Sequence, residues 1–159
     1  MSSPSAATES AALSTHVREE IDHWKQKFPE GRQKSAVIAA LHAVQHENHG
    51  HITKDNVEAV ADYLDIEPIE VWEVATFYSI FETEPVGRHC VAVCTNVSCW
   101  LRGANDIVAH IEKKYDVELG GSTADGKMFL KREEECLAAC NNAPMMMVGE
   151  HGLLHDSAL

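Results

Sequence analysis

No apolar run in this chain approaches the ~18 residues that a membrane-crossing helix needs. Basic residues are also scarce: 13 Lys and Arg stand against 25 Asp and Glu, a formal charge of −12. A surface for nucleic acid or anionic lipid needs the opposite balance, so neither is expected as a partner. Neither Gly-x-Gly-x-x-Gly nor Gly-x-x-x-x-Gly-Lys occurs, which leaves no loop to cradle a nucleotide phosphate. No nucleophile stands beside an evident base. The opening residues, Met1-Ser-Ser-Pro-Ser-Ala-Ala-Thr-Glu-Ser10, have neither the basic start nor the apolar centre of a secretory leader. A cytosolic setting is therefore expected, in which thiols stay reduced. The cysteine count of five is odd, and a structural disulfide framework is not expected.

What is present suffices for a packed core: 159 residues, 45% of them hydrophobic, enough for one domain or two small ones. Residues 1–13 are rich in Ser, Ala and Thr without apolar periodicity and read as a disordered tail. Ser14 or Thr15 can cap a helix carrying Val17, Ile21, Trp24 and Phe28, ended by Pro29 and Gly31. A second helix is predicted over Gln33 to about Glu47, burying Val37, Leu41 and Val44. Thr53 caps a third, with Val57, Val60, Ala61 and Leu64 inward. Pro68 suits the first turn of a fourth, whose apolar face is Val71, Val74, Phe77 or Tyr78, and Phe81. Residues 14–84 thus read as a small helical bundle.

After Pro85-Val-Gly87 the periodicity changes. Arg88 to Thr95 reads as a buried strand. A helix follows from about Leu101 to Tyr115, with Ala104, Ile107, Val108 and Ile111 inward. Thr123-Ala-Asp-Gly-Lys127 carries a turn signal, and Met128 to Lys131 is a second strand. Met145 to Val148 and Leu153 to His155 read as a closing hairpin, with Met145, Met146 and Met147 in the core. Residues 85–159 therefore read as an α/β domain.

Four of the cysteines form two pairs, Cys94-Thr-Asn-Val-Ser-Cys99 and Cys136-Leu-Ala-Ala-Cys140. Each pair follows a predicted strand, at the sheet end where ligand sites form. Short loops let two thiolates converge, and two such loops offer four soft anionic ligands for an iron–sulfur cluster or tetrahedral zinc. Zinc ribbons and thiol–disulfide enzymes mostly separate their cysteines by two residues; here the gaps are four and three. A four-residue gap also opens the plant-type 2Fe–2S pattern. The favoured reading is a 2Fe–2S cluster held by Cys94, Cys99, Cys136 and Cys140. A zinc-stabilised interaction module and a dithiol–disulfide enzyme stand as alternatives. Ala138, Ala139 and Ala143 permit close backbone approach, and Arg102 is the nearest cation in sequence, though a solvated surface role explains it equally well.

Other residues attract attention with less result. Cys90 lies ~13 Å along an extended strand from Cys94, too far to share one small cluster, and reads as a buried hydrophobe. His42, His46, His49 and His51 lack a carboxylate or cysteine at clean ligand spacing and read as an inter-helix turn. His89 could suggest a Rieske-type centre, but four cysteines already fill the ligand set.

Taken together, Val74-Ala-Thr-Phe-Tyr-Ser-Ile-Phe81, Pro85-Val-Gly-Arg-His89, the two cysteine motifs, Thr123-Ala-Asp-Gly-Lys127 and Asn141-Asn-Ala-Pro-Met145 resemble the small 2Fe–2S subunit of respiratory NADH:quinone oxidoreductase in its bacterial form. Related chains serve NAD-linked hydrogenases and formate dehydrogenases. The resemblance covers about residue 15 to the end. It implies that the C-terminal domain, residues 85–159, is thioredoxin-like. It also implies a larger partner subunit binding NADH, FMN and a 4Fe–4S cluster, and a place on the inner face of the cell membrane through the complex. Phe77, Tyr78 and Phe81 are the candidate contacts with that partner. Ala139 departs from the family, which commonly has glycine before the last ligand. The chain also stops at His155-Asp-Ser-Ala-Leu159, where relatives usually continue into a final helix.

Overall fold

The computed structural model describes residues 13–132 and 136–150. The expected tail lies outside the described residues except for Leu13, which packs against a helical core. The second half of the expected closing hairpin also lies outside them. The described chain falls into two units. One takes the chain up to Val44 together with Ile52–Thr83; the other takes Gln45–His51 and the chain from Glu84 onward.

In the first unit, local sequence signals start each helix. The Ser14 hydroxyl accepts the Val17 N–H at 3.1 Å and opens α1, Thr15–Lys25. After a 3-10 turn at Gln33–Ala36, α2 runs over Val37–Glu47. Thr53 and Asn56 form a reciprocal cap on α3, Lys54–Leu64. Such a cap is worth ~1 kcal/mol. Pro68 occupies the first turn of α4, Pro68–Phe77. The apolar faces then meet in one core of Val17, Ile21, Leu41, Val44, Ile52, Val57, Val60, Leu64 and Val71. The Tyr63 hydroxyl donates to Asp22 at 2.8 Å, and Lys34 pairs with Glu70.

Two expectations fail in this unit. The apolar face of α4 does not continue through Phe77 and Tyr78. The helix ends at Phe77, and Tyr78 is extended at φ −92°, ψ 127°. Phe77 is left 79% exposed and Tyr78 39% exposed, while Phe81 returns to the core beside His42, with ring centroids 5.0 Å apart. The helical period cannot be carried past a residue that has left the helix. The 3-10 turn likewise replaces the first turn of the expected second helix.

The second unit is built on a three-stranded mixed sheet in the order β2-β1-β3. Its strands are β1, His89–Val93; β2, Met128–Lys131; and β3, Met146–Glu150. Central β1 pairs in parallel with β2 and antiparallel with β3. Being paired on both edges and buried from Cys90 to Val93, it needs the unbroken apolar run its sequence supplies. Val91, Val93 and Leu130 pack against Ala104, Val108 and Ile111. Cys90 and Ala92 take the opposite sheet face, also buried. On β3 the methionines divide: Met145 packs against this core, whereas Met146 is exposed. The three are therefore not all core, because an extended strand sends neighbours to opposite faces.

The single helix expected from Leu101 to Tyr115 is instead two, α5 at Val97–Leu101 and α6 at Ala104–Tyr115. Gly103, at φ +89°, breaks them apart and accepts the Asp106 N–H as the second begins; only glycine takes that conformation freely. The 123–128 turn is tied by Thr123 donating to Asp125 at 2.6 Å and the Lys127 N–H donating to the same carboxylate at 3.1 Å. The Thr123 hydroxyl, with Lys127 behind it, holds the Asp125 pKa down to about 2.

Gly87 fixes the approach of the chain to β2. Its N–H donates to the Ser122 Oγ at 2.9 Å, and an added Cβ would lie 2.5 Å from the Met128 carbonyl carbon. Gly87→Ala should therefore lower the denaturation midpoint, by about 1–3 kcal/mol of stability. A wild-type midpoint would show that β2 moves away without cost.

Candidate metal centre

Cys94 is the first residue beyond β1, where its N–H donates to the Met145 carbonyl at 3.0 Å. Five residues later Cys99 is the one buried residue of α5. Both thiols belong to the apolar core of the sheet unit. Cys136 and Cys140 are exposed, with Cys140 opening a 3-10 turn over Cys140–Asn142. Their Sγ atoms are 3.5 Å apart, and none of the five cysteines forms a disulfide.

The two pairs, distant in sequence, meet in space. The Cys94 thiol is within hydrogen-bonding reach of both Cys99 and Cys136, and Cys99 feels the charge of Cys140. Backbone amides point at the sulfurs across the loops. Leu137 and Asn96 N–H groups serve Cys94, Met145 serves Cys99, and Ala138 serves Cys136. Ala138 adopts a left-handed φ of +57°, a conformation that costs a side-chain-bearing residue roughly 1 kcal/mol.

The acidities follow from these neighbours. Burial pushes Cys94 up, but the amides of Leu137 and Asn96, helped by Cys99 and Cys136, outweigh it and hold its pKa below the usual thiol value. Burial raises Cys99, with Cys94 and Cys140 adding repulsion that the Met145 amide does not offset. At Cys136 the Ala138 amide is the largest influence and favours the thiolate. The thiol of Cys140, burial and the charges of Cys140 and Cys94 together overcome it and raise the pKa. Four thiols that resist simultaneous ionisation release protons when a cation neutralises them. Among the described residues, no three His, Cys, Asp or Glu side chains form a group ready for one metal ion. The arrangement is one of pairs.

Known proteins share this combination of sheet and paired cysteines. The thioredoxin-like 2Fe-2S ferredoxin family matches residues 21–157. The chain belongs to that family. As a thioredoxin-like ferredoxin it has helices and a small mixed sheet. It is 41% identical over 145 residues to the second of two E-type subunits of NADH-quinone oxidoreductase from Rhizobium meliloti (strain 1021), covering 90% of this chain and 84% of the relative. The E-type NADH-quinone oxidoreductase subunit of Rickettsia typhi is 39% identical over 125 residues, covering 79% of this chain and 73% of that one. Its counterpart from Rickettsia conorii is 40% identical over 125 residues, with 79% and 74% covered.

The remaining candidates sit elsewhere in this ferredoxin. Cys90 is buried on the strand. Asn48 Nδ2 donates to the His51 carbonyl at 3.0 Å, while His49 and Gly50 turn the chain at φ +55° and +95°. His89 and Arg102 are exposed. The amide donors are invisible in the sequence, because spacing names side chains and not which peptide N–H faces them. The run of small residues after Cys136 was the available signal.

In the cluster-free protein, iodoacetamide should modify Cys136 and Cys140 first. Cys90, Cys94 and Cys99 should react only as the fold opens, since burial limits access more than acidity does. Peptide mass spectrometry over a time course checks the order, and early modification of Cys99 would contradict the packing around α5.

Proposed function

We propose that this chain is the electron-transfer subunit of an NADH:quinone oxidoreductase, with Cys94, Cys99, Cys136 and Cys140 holding one 2Fe–2S cluster. The observation that carries the reading is the meeting of two cysteine pairs under backbone amide donors. Two thiolates on one tetrahedral metal at ~2.3 Å lie about 3.7 Å apart, and Cys136 and Cys140 stand at 3.5 Å. A binuclear cluster takes its thiolates as pairs, whereas zinc needs all four around one ion. The names of the relatives favour the respiratory complex over a hydrogenase or formate dehydrogenase.

Bound there, the cluster supplies reversible one-electron capacity. The chain's own residues do the rest. Four thiolates neutralise and fix it, and the amides of Leu137, Asn96, Ala138 and Met145 stabilise negative charge on sulfur, the lever by which a protein tunes a cluster's potential. The buried side of Cys94 and Cys99 keeps water away. NADH, FMN and a 4Fe–4S cluster belong to a larger partner subunit. A helical bundle over residues 14–84 precedes the thioredoxin-like domain over 85–159, and exposed Phe77 and Tyr78 are contacts for that partner or its neighbours. No helix among the described residues is long and apolar enough to cross a membrane, which agrees with a peripheral place on the inner membrane face through the complex.

Anaerobically purified protein should be red-brown, with equal iron and acid-labile sulfide and a rhombic EPR signal on reduction. Serine at any of Cys94, Cys99, Cys136 or Cys140 should remove or alter that signal, since a harder oxygen replaces a soft thiolate. Cys90→Ser should leave the spectrum intact and cost only modest stability. A colourless protein with stoichiometric zinc would overturn the reading.

Titration calorimetry of the isolated chain against NADH should give no saturable heat. The chain lacks a phosphate-cradling loop, and its net charge of −12 repels an anionic dinucleotide. Binding, with reduction of the cluster and no flavoprotein present, would place the nucleotide site on this chain.

A further inference from the structure

Helix α5 has an inverted polarity. Val97, Trp100 and Leu101 stand at positions i, i+3 and i+4, the spacing that marks one helical face and normally the buried one. Here these side chains are 70%, 56% and 70% exposed, while Cys99 on the opposite side is the one buried residue of the helix. Three large apolar side chains held together in water on so short a helix are unusual for a free surface, and tryptophan is enriched where interfaces carry their energy. The patch is joined directly to the thiol centre. Trp100 follows Cys99 in the chain, and its N–H donates at 2.8 Å to the carbonyl of Asn96, whose own N–H serves Cys94. Anything seated on this face therefore lies next to the cysteines. An electron donor needs that nearness. A second copy of this chain would bring another −12 of charge and be repelled, so the occupant is a different, basic surface.

We propose that Val97, Trp100 and Leu101 on the outer face of α5 dock the flavoprotein electron partner of the cysteine centre through an apolar hollow within a basic surface. Exposed Arg102, at the end of α5, gives that partner one cation to orient on. The inference rests on the function proposed above and adds where the partner sits.

The test uses the full, cluster-loaded chain and the NADH-oxidising flavoprotein subunit that purifies with it. Trp100→Ala and Leu101→Asn are compared with wild type and with Tyr115→Ala, an exposed aromatic on α6. Affinity is measured by biolayer interferometry, and cluster reduction by NADH with limiting flavoprotein is followed in stopped flow. Each α5 variant should lose at least about tenfold in affinity, with a matching loss of rate that saturating flavoprotein restores. The EPR spectrum and reduction by dithionite should not change, and Tyr115→Ala should behave as wild type. Wild-type affinity in both α5 variants overturns the docking site and leaves the function standing. An equal loss in Tyr115→Ala also overturns it, by showing that the contact is not particular to α5. If Trp100→Ala loses its cluster, Leu101→Asn decides. A wild-type chain that accepts no electrons from the flavoprotein defeats the functional reading and the docking site together.

Discussion

Four thiolates close together repel, and the second unit is arranged around that repulsion. Raised pKa values at Cys99 and Cys136 are its direct sign. The fold contains it with amides rather than with cations. Peptide N–H groups from four separate places, Asn96, Leu137, Ala138 and Met145, turn toward sulfur. A lysine or arginine would neutralise more charge per contact, yet it would also fix the charge of the site and lose it to screening. Amides are neutral, aimed by the backbone, and unaffected by salt.

That arrangement explains why the sheet is built as it is. Cys94 and Met145 are locked as neighbours by one hydrogen bond of 3.0 Å between the end of β1 and the start of β3. The parallel pairing of β1 with β2 brings the second loop to the same end of the sheet. Close seating at Gly87 keeps that pairing in register. Three strands are enough, because the sheet need only deliver two loops to one point.

Much of this was legible in the residues. Ser14, Thr53 and Pro68 marked helix starts through chemistry that acts within one turn. The buried faces of α2 and α3 followed from apolar spacing, since a helix without a break carries its period reliably. The pairing of cysteines, their place after strands and the burial of Cys90 were readable for the same local reasons. The failures share one cause. The ends of α4 at Phe77 and of α5 at Gly103 interrupt a period that the sequence alone continues. Phe77 was then assigned inward when it faces out, and α5 was overlooked because its apolar pattern merged with a presumed loop. Met146 shows the companion error, in which an apolar triplet on a strand is taken as core although alternation must expose part of it. The amide donors were illegible because every residue but proline has the same N–H, and tertiary structure alone decides where it points.

One consequence follows from the anchoring of α5. A helix of barely more than one turn has little stability of its own, and this one keeps a single side chain, Cys99, in the core. Its attachment to the domain therefore depends on what holds that sulfur. With Cys99 bound in a cluster, the helix is fastened by a metal bond; without one, by a thiol packed among apolar neighbours and a few backbone hydrogen bonds. Loading of the centre and presentation of the outer face are then one event. An unloaded copy would show partners a loosened helix and compete poorly for a place in the assembly. The protein would thereby carry its own inspection step, in which completeness inside is read from firmness outside.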